Sequence, residues 1–405
     1  MKYVVLLCDG MADTPVPALG NKTPMEAAHK PSMDALAAKS ELGIAHTVPA
    51  SLPAGSDVAN LSVLGYDPTA CYTGRSPLEA ASIGVSLADD DLALRCNFVT
   101  LTEEADYADK HMADYCAGDI STREADLLIQ ALQEQFGGGD FDFYTGTAYR
   151  HCLVWHHQTG DIGKLTPPHD ITGRRIGEHL PPETAAPLLR MMERSMALLA
   201  DHPVNRARRE RGLAPANAVW FWGQGSRPRL TAFETLYGLK GAMISAVDLL
   251  KGIGILSGMK VCRVDGATGY IDTNFAGKRE AAVQALRDGC DLAYIHVEAP
   301  DECGHRGEAE NKKRAIELID REILTPLLSE LRAMDDFSLL ICPDHPTPLA
   351  TRTHSHDPIP YLIYRSNAEQ DSGLSCFSEK TARSTGIVRT HGYELMQTLT
   401  GKGQA

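Results

Sequence analysis

Residues 291–305 read DLAYIHVEAPDECGH. Leu292 to Val297 is a short run dense in β-formers, the pattern of a strand buried in a sheet. Pro300 then breaks the run, which releases Asp301 and, four residues on, His305 into an expected loop. A carboxylate and an imidazole thrown out past a buried strand make half of a metal site. The other half has to come from other strand ends.

Two further apolar runs end the same way. Residues 3–8, YVVLLC, run into Asp9-Gly10, and residues 337–342, FSLLIC, run through Pro343 into Asp344 and His345. Continuous apolar runs with β-branched members belong to strands covered on both faces, as in parallel sheets. Helical patterns alternate with them: 32–39, 184–201, 277–288 and an amphipathic stretch over about 309–334. Further strands are expected at 42–48, 218–222, 259–264 and after Pro358-Ile359-Pro360, with 241–255 reading as turn and helix. The fold class is therefore α/β, a mainly parallel sheet with helices on both faces.

Between these stretches the texture changes. From residue 92 to 156 short alternating runs are separated by acidic and glycine-rich turns such as GGGD at 137–140. We read residues 85–212 as an inserted, smaller α+β domain, and 1–84 with 213–405 as the core. The stretch HPVNRARRERG at 202–212 reads as basic and exposed.

Composition bounds the function. A chain of 405 residues with 43% apolar and 23% charged residues is ordinary for a soluble globular protein. The formal net charge of −14 argues against nucleic acid or an anionic membrane as partner. It does not argue against a small anionic substrate, because a metal ion or local arginines reverse the sign within a cleft. The ten cysteines contain no C-x-x-C pair, the N-terminus lacks a signal-peptide core, and no run approaches the roughly 20 apolar residues of a membrane helix. A reduced, cytoplasmic protein is expected, with most cysteines acting as small hydrophobes.

The carboxyl ends of parallel strands share one edge, where open α/β folds place their sites. Collected there, Asp9, Asp301, Asp344, His305 and His345, with His354 and Ser56, supply donors for two divalent ions. Mixed nitrogen and oxygen ligation suits Mn²⁺ or Zn²⁺ better than Ca²⁺. Ser56 stands in PAGSDVANLSVLGYD (53–67), where a Pro/Gly turn leads into a helix start. By itself it reads as a helix cap, just as Asp9-Gly10 reads as a turn and Asp301 with His305 as a surface pair. A hydroxyl held beside a divalent ion, however, becomes a nucleophile near neutral pH, and two ions about 4 Å apart are a recurrent solution for phosphoryl chemistry.

Taken together, LLCDG, PAGSDVANLSVLGYD, GATGY (266–270), VEAPDECGH, CPDH and RTHSHDPIP resemble the cofactor-independent phosphoglycerate mutases of the archaeal type, members of the alkaline phosphatase superfamily. The likeness runs over nearly the whole chain. It implies that Ser56 is the nucleophile, that Asp9, Ser56, Asp344 and His345 hold one metal, and that Asp301, His305 and His354 hold the other. His356 is the competitor that motif spacing disfavours. The implied reaction interconverts 3-phosphoglycerate and 2-phosphoglycerate through a phosphoserine, without 2,3-bisphosphoglycerate, as in glycolysis. Mn²⁺ is the expected metal, with Zn²⁺, Mg²⁺ and Co²⁺ compatible. Arg75, Arg95, Arg150 and His151 are candidates to clamp phosphate and carboxylate, with Lys240 as a leaving-group cation and the insertion as a lid that excludes water. The chain also resembles bacterial relatives proposed to phosphorylate homoserine, through VANLSVLGYD and TPPHDITG. That alternative keeps the metal site and Ser56 and changes the acceptor. A phosphatase and a non-catalytic metal-stabilised binding protein are the remaining readings.

Overall fold

In a computed structural model, residues 1–402 are described, and thirteen strands form two sheets. In chain order they are β1 (Lys2–Cys8), β2 (Glu41–Ala45), β3 (Leu92–Leu101), β4 (Met112–Asp114), β5 (Phe141–Thr147), β6 (Arg150–Trp155) and β7 (Ala218–Ser226). They continue with β8 (Gly241–Ile244), β9 (Lys260–Cys262), β10 (Leu292–Val297), β11 (Phe337–Cys342), β12 (Ile359–Arg365) and β13 (Val388–Arg389).

The larger sheet has the order β13-β2-β12-β11-β1-β10-β8-β9. β1 lies at its centre, parallel to β10 on one side and β11 on the other. Val4 to Cys8 are all 0% exposed, which is why this run carries no polar alternation. Only β12 runs against the rest, since it is antiparallel to both β11 and β2. Its direction follows from the connection: no crossover helix separates it from β11, so the chain enters β12 from the edge where β11 ended. Pro360 has no N–H to give a ladder, and it falls where β12 pairs with β2 but not with β11.

Helices cover both faces. Val4, Leu6 and Cys8 pack with residues of the helices Pro31–Ala37, Phe275–Arg287, Ala309–Leu318 and Thr325–Arg332. Toward the other face lie Ser56–Val63, Asp248–Leu256 and Glu394–Thr400, the first of which contacts the other two.

The expected continuous helix at 309–334 is interrupted by a π-turn at Ile319–Leu324. Pro326 cannot donate to the turn before it, and the wider turn absorbs the missing bond. Asp320 uses its carboxylate there to accept the N–H groups of Ser32 and Met33, at 3.1 and 2.7 Å. The GAMI stretch, expected within a turn, is instead strand β8.

The chain divides into two compact units, Met1–Tyr72 with Arg229–Ala405, and Thr73–Pro228. The inserted unit is thus wider than residues 85–212. β7 is the reason at one end: it pairs antiparallel with β3 rather than joining the large sheet. At the other end the helix Ser76–Ser82 contacts β3 and β7. The unit's own sheet has the order β4-β3-β6-β5 with β7 on β3, and its core includes Phe98, Leu128, Met192, Trp220 and Phe221. The basic stretch forms the helix Pro203–Glu210. Arg208 is not exposed there but buried, bonded to Glu124 and to the carbonyls of Ala117 and Ala214.

Candidate active site

β1, β10 and β11 are adjacent, so their carboxyl ends converge on one edge. Asp9 follows β1 directly and is 1% exposed. Gly10 turns the chain with φ +61, and a Cβ there would meet Asp301 Oδ1 and Thr347 Oγ1 at 2.6 Å. Only glycine allows that approach. Asp344 and His345 follow β11, both fully buried. Oδ1 of Asp344 accepts the backbone N–H of His345 at 2.9 Å and of Gly10 at 3.2 Å.

Asp301 and His305 are not on a loop. They stand one turn apart on the helix Ala299–Arg306, with Asp301 Oδ2 3.2 Å from His305 Nε2. Pro300 does not break this element, because it occupies the first turn of a helix, where its missing N–H is not needed. His354 arrives from the loop before β12 and places Nε2 3.4 Å from Asp301 Oδ1 and 2.9 Å from His305 Nε2. His356 lies elsewhere, with Nε2 2.9 Å from the Leu52 carbonyl.

Ser56 is not the helix cap. Gly55 occupies that position, Ser56 is the first residue of Ser56–Val63, and its Oγ lies 3.0 Å from His345 Nε2. The structure therefore brings together Asp9, Ser56, Asp301, His305, Asp344, His345 and His354. Donor atoms of Asp301, His305 and His354 lie within 4.8 Å of one another, as do those of Asp9, Asp301 and His345.

These donors fit divalent cations on three observations. The Nδ1 atoms of His305 and His354 face the carbonyls of Arg352 and Ala54, at 2.9 and 3.2 Å. A carbonyl only accepts, so Nδ1 carries a proton and Nε2 is the ring atom turned toward Asp301, the one a neutral imidazole would offer to a cation. Asp9 Oδ1 is buried without a hydrogen-bond partner. Finally, burial and the carboxylates of Asp344 and Asp301 push the Asp9 carboxyl well above its usual range, a repulsion that a cation relieves.

Several residues of the site went unread in the sequence. Asn60 Nδ2 donates to Asp344 Oδ2 at 2.8 Å, while its Oδ1 accepts from the Tyr294 hydroxyl at 2.8 Å. Its spacing of four from Ser56 on a helix start was the available signal. The Thr347 hydroxyl donates to Asp301. Lys312, fully buried, pairs with Asp13 at 2.7 Å and donates to the Thr347 carbonyl.

The expected substrate-binding residues separate into two groups. Arg75 and Arg95 share the Glu79 carboxylate, at 2.9 and 2.7 Å, and Arg95 lies 4.5 Å from the centre of the Trp222 ring. Arg150, opposite Asn97 in the ladder, adds its charge to the field at Glu79. His151 points to the opposite face of β6, as strand alternation requires, and packs edge-on against Phe98 with ring centres 5.0 Å apart. Burial pushes its pKa down to about 3. Lys240 precedes β8 at the amino edge, where its carbonyl accepts from Asp291 and Leu292, so it lies opposite the clustered donors.

A serine hydroxyl set among aspartates and histidines at the carboxyl edge of a mainly parallel sheet is the arrangement of an α/β enzyme. A family model described as 2,3-bisphosphoglycerate-independent phosphoglycerate mutase matches residues 37–205. A probable mutase of that kind from Geobacter sulfurreducens is 48% identical over 98% of this chain and 99% of its own length. The mutase from Methanosarcina mazei is 49% identical over 96% and 97%. The solved cofactor-independent phosphoglycerate mutase from Thermoplasma acidophilum superposes with a TM-score of 0.67 at 26% identity, over 99% of both chains. The chain belongs to the 2,3-bisphosphoglycerate-independent phosphoglycerate mutase family.

Proposed function

We propose that this chain interconverts 3-phosphoglycerate and 2-phosphoglycerate by way of a phosphoserine at Ser56. The observation that carries the reading is the 3.0 Å contact between Ser56 Oγ and His345 Nε2 inside the Asp/His cluster. Two divalent ions, Mn²⁺ by preference, held by Asp9, Ser56, Asp344 and His345 and by Asp301, His305 and His354, would supply Lewis acidity toward the serine hydroxyl and the phosphoryl oxygens.

Ser56 stands at a helix start, where free backbone N–H groups and the positive end of the helix favour a phosphoryl anion. Its Oγ takes the phosphoryl group of 3-phosphoglycerate, with the C3 hydroxyl as leaving group. Retained glycerate then presents its C2 hydroxyl to the phosphoserine, and the phosphoryl returns to give 2-phosphoglycerate. Asn60 holds Asp344 in place through both half-reactions. Arg75, Arg95 and Arg150 are proposed to bind substrate, with Arg95 preorganised by Glu79 and Trp222. His151 and Lys240 are left out, the first facing a core and the second the wrong edge.

A cytoplasmic location fits a small phosphorylated metabolite as substrate. No helix among the described residues is long and apolar enough to cross a membrane.

The test is a substrate comparison with Mn²⁺ present, 3-phosphoglycerate alone against homoserine with ATP. Formation of 2-phosphoglycerate is the expected result. O-phosphohomoserine without mutase activity would replace the proposal with a kinase-like transfer.

A further inference from the structure

Asp9 is tied on one side only. Its Oδ2 lies 2.9 Å from Nε2 of His296, and the other ring nitrogen, Nδ1, lies 3.1 Å from the Ser245 hydroxyl. Ser245 Oγ in turn accepts the backbone N–H of Val247 at 3.0 Å. These residues come from three neighbouring strand ends: Asp9 after β1, His296 within β10, Ser245 after β8. His296 is 0% exposed and Ser245 3%, so neither is a surface contact. Lys278, also 0% exposed, donates to the His296 carbonyl at 2.9 Å and fixes the strand on which the ring stands.

The direction of each bond follows from what each atom can do. As a cation ligand Asp9 is ionised and only accepts, so the proton of the imidazole sits on Nε2 and is donated to it. Nδ1 is then bare and takes the proton of the Ser245 hydroxyl, whose oxygen is free to accept from Val247. Such a one-way chain admits a single ring orientation and a single carboxylate rotamer. In that rotamer Oδ1 is the buried atom with no hydrogen-bond partner, 3.7 Å from His345 Nε2.

We infer that Ser245 and His296 form a positioning relay that holds Asp9 so that only Oδ1 faces the cation, making Asp9 a one-oxygen ligand. The relay rests on the proposal that this cluster binds divalent ions, and it adds two residues outside that ligand set. With one lone pair of Oδ2 engaged by an N–H, a two-oxygen grip by Asp9 is disfavoured. That favours ions content with few, well-directed ligands over Ca²⁺, which takes 6–8 oxygens and readily accepts bidentate carboxylates.

The experiment is a titration of the apo full-length chain with Mn²⁺, free ion being followed by electron paramagnetic resonance, for the wild type and for His296→Leu, His296→Gln and Ser245→Ala. Removing partners that orient metal ligands costs 10- to 100-fold in metal affinity as a rule. His296→Leu is expected to weaken one of the two Mn²⁺ sites by about that range, and Ser245→Ala by about tenfold. His296→Gln, which can offer an amide N–H to Oδ2, is expected to recover most of the loss, a rescue that packing alone does not give. Ser245→Ala added to His296→Leu is expected to cost nothing further, because the chain is already cut.

Wild-type Mn²⁺ affinity in folded His296→Leu overturns the relay, as do additive losses in the double variant. Should His296→Leu fail to fold, Ser245→Ala decides, since it removes one hydroxyl, and unchanged affinity there overturns the relay equally. A wild-type chain that takes up no divalent ion would instead sink the metal-site proposal, and the relay with it.

Discussion

Ser56 and Gly10 carry the sharpest tests at the scale of the single residue. Ser56→Ala is expected to abolish mutase turnover, by on the order of 10⁴-fold or more, as removal of a covalent nucleophile does. Most of the donors remain, so calorimetric titration should still detect divalent ion binding. Turnover near the wild-type rate would exclude the phosphoserine route. Gly10→Ala acts by sterics, because the new Cβ falls 2.6 Å from Asp301 Oδ1 and the residue sits at φ +61. The left-handed backbone alone costs about 1–2 kcal/mol. The displacement of Asp301 is expected to lower kcat by about 100-fold, as an ångström of misplacement does. A variant with unchanged kcat and unchanged melting temperature would show that the turn has room the geometry denies it.

At the scale of the element, the helix Ser76–Ser82 is joined to β3 by one carboxylate. Glu79 sits between Arg75 and Arg95, and Arg95 is 9% exposed. Burial works to raise the Glu79 pKa, but the guanidinium groups of Arg95 and Arg75 outweigh it and hold the carboxyl below its usual range. Its folded pKa is therefore lower than its unfolded one. The stabilisation is complete above the unfolded value of about 4.3 and is lost as pH falls through the folded value. Glu79→Gln strands Arg95 without a counter-charge and is expected to cost about 3 kcal/mol, the low end for a broken buried pair because Glu79 keeps 21% exposure. Denaturant unfolding at pH 7 measures the loss. Repeating it down to pH 3 should show wild type and variant converging, and a constant gap would refute the assignment to this carboxylate.

At the scale of the whole molecule, two units with separate cores share one chain, and the clustered donors all belong to Met1–Tyr72 with Arg229–Ala405. Ligands that bind only the folded state stabilise by about 2.7 kcal/mol at a hundredfold excess over Kd. Calorimetry with Mn²⁺ and then with a chelator is expected to show two transitions, of which only the one from the donor-bearing unit moves down on chelation. Equal movement of both transitions, or of neither, would contradict the placement of the ions.

Strands β1, β10 and β11 are legible in the sequence, because a run of apolar β-formers marks a segment to be buried on both faces. So are the donor types at their ends, and the motif likeness that joins Ser56 to them. Which strands are neighbours, and hence that Asp9, Asp301 and Asp344 meet, emerges from the folded sheet alone. The tertiary structure placed Asp301 and His305 on a helix, turned His151 into a core and set Lys240 at the far edge. It also moved β7 into the inserted unit and found Asn60, Thr347, Ser245 and His296. The physical reason is the same in each case. Periodicity along the chain encodes how deeply a residue is buried, whereas pairing order and side-chain facing are set by contacts between residues far apart in the chain, from 51 positions for Ser245 and His296 to 287 for Asp9 and His296. His296 shows the difference: within LAYIHV it passes as one more buried strand residue, and only the approach of β1 and β8 on either side makes it a hydrogen-bonding bridge.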